Sequence, residues 1–319
     1  MIIGVSGKIG SGKDTVGKII QYLAAESNHI AKGHISDYKD CSYTIQEFLQ
    51  GKDIYNEVFT KNYTESISED SGWQIKKFAA KLKQIVSILT GISVEDLEKQ
   101  EVKDRVLGNE WSRIVTTLHL SSDVNQIIKD IYTNAFFEQT NTSFIVYQRM
   151  TVRQLLQEIG TDAMRNVIHS NIWVNALFSD YKRIRGIERI LKSTRSEEEQ
   201  EIDGFKYPNW IITDVRFPNE LKAIEDKDGI TIRINRDLYH IGGGNYISKN
   251  EFINTPSVIN NKNYSIEELL KANKKINNNE HPSETALDNA QFNYTIDNNG
   301  TIEELIEKVR EILIKEILI

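Results

Sequence analysis

The residues best suited to chemistry stand at the head of the chain. Gly7, Gly10 and Gly12 are spaced through the run Gly7-Lys-Ile-Gly-Ser-Gly12-Lys13-Asp14-Thr15, after an apolar segment of Ile2, Ile3 and Val5. Glycine accepts positive φ and lets the backbone approach an anion closely. Successive amide N–H groups and the start of the next helix can then surround a chain of phosphates. Lys13 would reach the outer phosphates as a point charge, and a hydroxyl just beyond it would ligate a divalent cation. Here that hydroxyl comes one residue late, at Thr15, because Asp14 follows the lysine. Strand, glycine loop and helix in this order form a P-loop.

Two further segments offer anion-binding groups. Thr151-Val-Arg-Gln154 reads as a capping box that opens a helix. Its apolar stripe is Val152, Leu155, Leu156 and Ile159, with Arg153, Gln157 and Gly160 together on the other side. Gly160-Thr161-Asp162 would restart the chain into a second helix carrying Met164, Val167 and Ile168. Farther on, the buried strand Trp210-Ile-Ile-Thr213 leads into Asp214-Val-Arg216-Phe-Pro218-Asn-Glu220, with Pro218 suited to a helix's first turn. Ligands of parallel α/β sheets bind beyond the carboxyl ends of strands, so Asp214 and Arg216 would stand beside the P-loop if this strand neighbours the first. Plainer readings exist for each group. Arg153 fits a solvated helix face, Trp173 a core, Asp214 a turn cap, and Glu220 a first-turn carboxylate.

The elements that must position these groups are legible from periodicity. Strands are expected at 1–5, 73–78, 210–213, 231–235 and 292–296, alternating with helices. A helix starts at about Asp14, and Leu82, Ile85, Val86 and Leu89 mark another, ended by Gly91. Ser93 with Asp96 opens a further helix. A last helix follows the box Thr301 to Glu304, with Ile302, Leu305, Ile306, Val309, Ile312 and Leu313 inward. Residues 109–150 show no clear period, and the acidic run 193–204 reads as a solvated loop or helix end. The expected fold is therefore a three-layer α/β domain with a five-stranded parallel sheet. One domain over 1–319 would carry insertions at about 27–72 and 236–290, the second a lid with a short helix from Ser265 to Glu268.

Composition narrows the function. The net charge of -7 argues against a general affinity for nucleic acid, so an anionic ligand needs a local cation cluster. The single cysteine, Cys41, excludes an internal disulfide or a cysteine zinc site. No apolar run approaches the roughly 18 residues of a membrane span, and no signal peptide is evident, so the expectation is a cytoplasmic protein without membrane partners. Lys76-Lys77 and Lys274-Lys275 are read as solubility.

Taken in order, these motifs resemble the deoxynucleoside monophosphate kinases of tailed bacteriophages. The likeness rests on Gly-Ser-Gly-Lys-Asp-Thr at 10–15, Thr-Val-Arg-Gln-Leu-Leu-Gln-Glu-Ile-Gly-Thr-Asp at 151–162, Ile-Trp-Val at 172–174, Asp-Val-Arg-Phe-Pro-Asn-Glu at 214–220 and His-Pro-Ser-Glu at 281–284. The late hydroxyl at Thr15 is similar to the order in nucleoside monophosphate kinases. The resemblance implies ATP and Mg²⁺ as cofactors, bound by Gly10, Ser11, Gly12, Lys13, Asp14 and Thr15, with Thr15 on the metal and Arg236 placed like a lid arginine. It implies an acceptor site of Arg153, Gln157, Gly160, Thr161, Trp173, Asp214, Arg216 and Glu220. Lys13, Arg153, Asp214 and Arg216 would carry catalysis, and His281 and Glu284 have no assigned chemistry. The implied reaction is phosphoryl transfer from ATP to a deoxynucleoside 5′-monophosphate, both small molecules, in the host cytoplasm if the gene is a phage's. Two alternatives stay open: a P-loop kinase for another small phosphorylated acceptor, such as phosphomevalonate, and a non-catalytic nucleotide-binding switch. Oligomeric state is open as well, a homodimer included.

Overall fold

An apolar strand that breaks into glycines must be covered on both faces, and the fold is built around that demand. The computed structural model describes residues 1–31, 45, 49, 63–119, 135–139, 143–191, 199–240, 246–248 and 285–319. Its strands are β1 (Ile2–Gly7), β2 (Trp73–Lys76), β3 (Arg113–His119), β4 (Ala135–Gln139), β5 (Ser143–Gln148), β6 (Ile184–Leu191), β7 (Glu199–Lys206), β8 (Asn209–Val215), β9 (Ile230–Asn235), β10 (Leu238–His240), β11 (Tyr246–Ser248) and β12 (Tyr294–Asp297). Two compact units emerge, one of Met1–Phe78 with Leu177–Ile319 and one of Ala79–Ala176.

The first unit holds the five expected strands in the order β12-β9-β1-β8-β2, every neighbouring pair parallel. Parallel strands covered on both sides read as continuous apolar runs, and β1 is buried along its whole length. Alternation then sorts its side chains. Ile3 and Val5 share a core with Val16, Ile19, Ile20 and Leu23 of the helix Lys13–Ala31 and with the helix Ile302–Lys315. On the other face Gly4 lets the Ile224 side chain of the helix Pro218–Glu225 come close to the strand. Helix, sheet, helix is the three-layer arrangement the sequence suggested.

Ile302–Lys315 shows how local signals make such a layer. The Thr301 hydroxyl accepts the Glu304 N–H at 3.3 Å, so the helix starts where the sequence said. Leu305, Ile306, Val309, Ile312 and Leu313 are then buried together. Each such burial stabilises by at most roughly 1.5–3 kcal/mol against an extended chain. A charge at Val309, which is 0% exposed, would break this layer first.

Strand order reverses beside β1. The chain passes from β1 to the edge strand β2, returns through β8 between them, and then moves to β9 on the far side of β1. A crevice beyond the carboxyl ends of strands at such a switch is where open α/β sheets bind ligands.

The second unit is organised differently. Ala80–Thr90 ends on Gly91, whose φ of 70° turns its N–H back to the Ser87 carbonyl. Val86, Leu97, Leu107, Val152 and Leu155 form the core. Ser93 opens only a 3₁₀ turn, Asp96–Glu98. Thr151 and Gln154 make the full reciprocal capping box of Val152–Gln157.

Several expectations change. The unread stretch 109–150 contains an antiparallel sheet, β3-β5-β4. The chain does not restart at Gly160, because a π-helix spans Glu158–Ile168 and leaves Val167 78% and Ile168 62% exposed. A widened helical turn rotates the later apolar residues off the inward stripe. The acidic run is not a loop throughout, since Glu199–Lys206 pairs with β6 as a hairpin strand. Within 27–72, the first helix runs to Ala31 and another occupies Tyr63–Ser71. Within 236–290, β10 and β11 pair antiparallel. Cys41, Lys274, Lys275, the expected Ser265–Glu268 helix, His281 and Glu284 lie outside the described residues.

Candidate active site

The P-loop is held by its own backbone before any ligand enters. Ser11 N–H donates to the Lys8 carbonyl at 3.1 Å, and Val16 N–H donates to the Gly12 carbonyl at 2.9 Å, starting the helix. The turn needs φ of 76° at Gly10 and 100° at Gly12, the left-handed region glycine tolerates. Lys13 folds back so that Nζ donates to the Lys8 carbonyl at 2.7 Å. Only 8% exposed, Lys13 has its pKa pushed down to about 7, first by burial and then by the Arg216 charge, against the opposing pull of Asp14 and Asp214. Ser11 is 0% exposed and its hydroxyl has no hydrogen-bond partner. A buried ammonium near other cations and an orphaned buried hydroxyl are what an incoming polyanion would satisfy.

The second strand of the site delivers its residues through a bulge. β1 and β8 pair Gly4 with Ile212 but Ser6 with Val215, so β8 carries one extra residue at Thr213–Asp214. Bulges re-aim side chains. Thr213 donates its hydroxyl to Asp14 Oδ1 at 2.8 Å, and Asp214 Oδ1 accepts the Phe78 N–H at 2.8 Å. Next, Glu220, only 2% exposed, turns one carboxylate oxygen onto the N–H groups of Arg216 at 2.8 Å and Phe217 at 3.1 Å. Pro218 opens the helix, as its fixed φ favours. Thus the structure brings Lys13, Asp14, Asp214 and Arg216 to the carboxyl ends of adjacent strands. Glu220 lies behind them, bonded to the turn's backbone.

Lys77, Arg233 and Asn298 carried no sequence signal of a role here, whereas Arg236 and Thr15 did. Lys77, read as a solubility lysine, lies 3.1 Å from Asp14 Oδ1. Desolvation opposes ionisation of Asp14, and Lys77, the Thr213 hydroxyl and Lys13 outweigh it, holding the carboxyl below its ordinary range. Lys76 instead covers the Trp210 ring at 5.3 Å. Arg233, on β9 opposite Ser6, donates to the Ser6 hydroxyl and to Asp288 at 3.0 Å each, and Asp288 also lies 3.9 Å from Lys8. Arg236 is exposed, its guanidinium 3.4 Å from the Gly10 carbonyl. Asn298, in the turn after β12, donates to the Ser11 carbonyl at 2.8 Å. Thr15 sits half-buried in the first turn of its helix.

In the second unit Arg153, Gly160 and Trp173 have partners within that unit. Arg153 donates through Nε to Asp104 Oδ1 at 2.9 Å, and its Nη2 lies 2.9 Å from the same oxygen. Gly160 is not presented on an open face beside it. A Cβ there would stand 2.8 Å from the Leu82 side chain, and the Gly160 carbonyl accepts the buried Trp173 indole N–H at 2.8 Å. Gln157 and Thr161 are half-buried on either side of this contact.

Among the described residues no group of three or more His, Cys, Asp or Glu is gathered to hold a metal ion, and no helix is long and apolar enough to cross a membrane. No curated protein matches the sequence significantly. A model of the family described as deoxynucleotide monophosphate kinase matches residues 1–272. That match takes in the glycine loop, the Arg153 helix and the Asp214–Glu220 turn, and it makes the fold and the class of chemistry plain. The chain belongs to the deoxynucleotide monophosphate kinase family, and is thus a phosphotransferase that uses a nucleotide and acts on small molecules.

Proposed function

We propose that the protein transfers the γ-phosphoryl group of ATP, with Mg²⁺, to the 5′-phosphate of a deoxynucleoside monophosphate, giving ADP and the diphosphate. The observation that carries this reading is the meeting of Lys13 and Arg216 at the ends of β1 and β8, close enough for one charge to depress the other's pKa. Two like charges held together are unfavourable alone and become favourable when phosphates lie between them.

The acceptor phosphate has a second pKa near 6 and is largely dianionic at neutral pH, so no general base is needed. Catalysis is then alignment plus neutralisation of charge. The loop amides and Lys13 would hold the donor phosphates, and the buried Ser11 hydroxyl fits a phosphate oxygen. Arg216 would grip the acceptor phosphate in the bidentate geometry guanidinium favours, with Arg153 as second grip once it leaves Asp104. Thr15, with Asp14 and Asp214 nearby, is a hard-oxygen set that fits Mg²⁺, an ion that keeps several waters and needs few protein ligands. Bound there, Mg²⁺ would supply charge neutralisation on the donor phosphates. Arg236 would add positive charge from the segment after β9. Gln157, Thr161 and Trp173 would line the acceptor, Gly160 would let that wall pack, and Glu220 would fix the turn that aims Arg216.

A coupled ADP-release assay over the four deoxynucleoside monophosphates, their ribo counterparts and phosphomevalonate tests the proposal. Turnover with at least one deoxynucleotide is expected. ADP release independent of every acceptor would overturn it.

A further inference from the structure

The strongest unexplained contact joins the two ends of the chain. Asn298 is separated from Ser11 by 287 positions, yet its side-chain amide donates to the Ser11 carbonyl at 2.8 Å. It lies beyond residues 1–272, the span matched by the family. We infer that Asn298 is a positioning residue for the donor phosphates, holding the Ser11–Gly12 peptide so that the Gly12 N–H faces the anion.

The geometry of the peptide unit supports this. In a trans peptide the C=O and the next N–H point in opposite directions. When Asn298 draws the Ser11 carbonyl outward, the Gly12 N–H is turned the other way, toward the interior of the loop. The neighbouring amide cannot substitute, because the Ser11 N–H already donates to the Lys8 carbonyl at 3.1 Å. Gly12 is also shaped to admit the amide. A Cβ there would stand 2.6 Å from Asn298 Nδ2, and the residue's φ of 100° excludes other side chains in any case.

Asn298 is itself braced. Its N–H donates to the Asn235 carbonyl at 2.7 Å, Asn299 Oδ1 accepts the Asp237 N–H at 2.8 Å, and Lys308 Nζ donates to the Asp297 carbonyl at 2.8 Å. The turn after β12 is therefore fixed in place where Asn298 meets the loop. An amide that forms the cradle before the ligand arrives spares the ordering that binding would otherwise require. The inference rests on the proposed ATP site and adds the residue that keeps it in shape.

The test compares wild type with Asn298→Ala and Asn298→Asp, the second replacing the donor by an acceptor that would repel the Ser11 carbonyl. Calorimetry reads ATP affinity directly, and the coupled assay reads the two Michaelis constants. Asn298→Ala is expected to weaken ATP binding and raise its KM about tenfold. The KM for the deoxynucleotide should stay within about twofold, and Asn298→Asp should be worse than alanine. The Gly12 amide resonance should move in both variants. Unchanged ATP affinity in Asn298→Ala, or equal losses for both substrates, would overturn the inference even in an active kinase. Should wild type bind ATP without deoxynucleotide-dependent turnover, the acceptor reading fails, and the ATP affinities still decide the role of Asn298.

Discussion

The two units treat their cations in opposite ways. In the first, burial and then the Arg216 charge lower the pKa of Lys13, and the Ser11 hydroxyl is buried without a partner. In the second, Arg153 is hydrogen-bonded through Nε to a carboxylate of its own unit, Asp104, which also lies at ion-pair distance from Nη2. The parallel sheet unit keeps its lysine buried beside another cation, a cost that an incoming anion would offset. The other keeps its arginine neutralised, and any ligand must displace Asp104. Preorganisation of this kind places the larger share of electrostatic work on the residues that need not rearrange.

The sharpest way to break that comparison is Lys13→Met, expected to lower kcat/KM by roughly a thousandfold in the coupled assay. The same variant should be more stable than wild type when free of ligand. The folded pKa of Lys13 is about 7, below its unfolded value of 10.5. Below pH 7 the folded protein carries the whole penalty of a buried charge. As pH rises from 7 toward 10.5 the folded state sheds its proton before the unfolded chain does, so wild-type stability climbs. The advantage of methionine, on the order of a few kcal/mol, should therefore be greatest at or below pH 7 and shrink toward pH 10, as chemical denaturation at several pH values would reveal. A constant difference across that range would mean Lys13 is not charge-stressed.

Next in size, Arg216→Ala should lose at least about a hundredfold in kcat/KM with an unchanged melting temperature. Near-normal activity would remove it from the site. Glu220→Gln should act through the turn, since the neutral amide accepts the two N–H bonds more weakly. About tenfold in kcat/KM is expected, with a loss of about 1–3 kcal/mol in stability measured by urea unfolding. The smallest effect concerns the ion-paired arginine of the second unit. Asp104→Asn should lower the KM for the deoxynucleotide a few-fold by loosening Arg153, and Arg153→Ala should raise it. If Asp104→Asn leaves that KM untouched, Arg153 is a structural ion-pair partner and the contrast between the units is complete.

Local patterns made the sheet unit readable. Ile2, Ile3 and Val5 before glycine, Trp210 to Thr213 before Asp214, and the box at Thr301 each announce an element within a few residues. What stayed hidden depends on distance along the chain. Asn298 is an ordinary turn residue until the fold carries it to Ser11, and Lys77 is a surface lysine until β2 sets it beside Asp14. Asp104 and Arg153 are 49 positions apart, so the helical spacing that suggested an open Arg153 could not show its partner. Val167 and Ile168 misled because a 3.6-residue period was applied to a π-helix. Residues 109–150 hid the sheet β3-β5-β4 because the longest apolar run there, Phe144–Tyr147 of β5, is short enough to fit a strand or a helix and no turn motif set its bounds.

The spare residue in β8 makes chemistry and architecture separable. Because β1 advances from Gly4 to Ser6 while its partner advances from Ile212 to Val215, a single-codon deletion at position 213 or 214 would give these strands a regular ladder. The sheet would keep its order and lose nothing in pairing. Yet the hydroxyl that meets Asp14 or the carboxylate that meets the Phe78 amide would be gone, and Arg216 would shift by one step along the strand edge. In such a shortened variant the ladder and the site would come apart, the fold kept while the residues beyond β8 lose their aim.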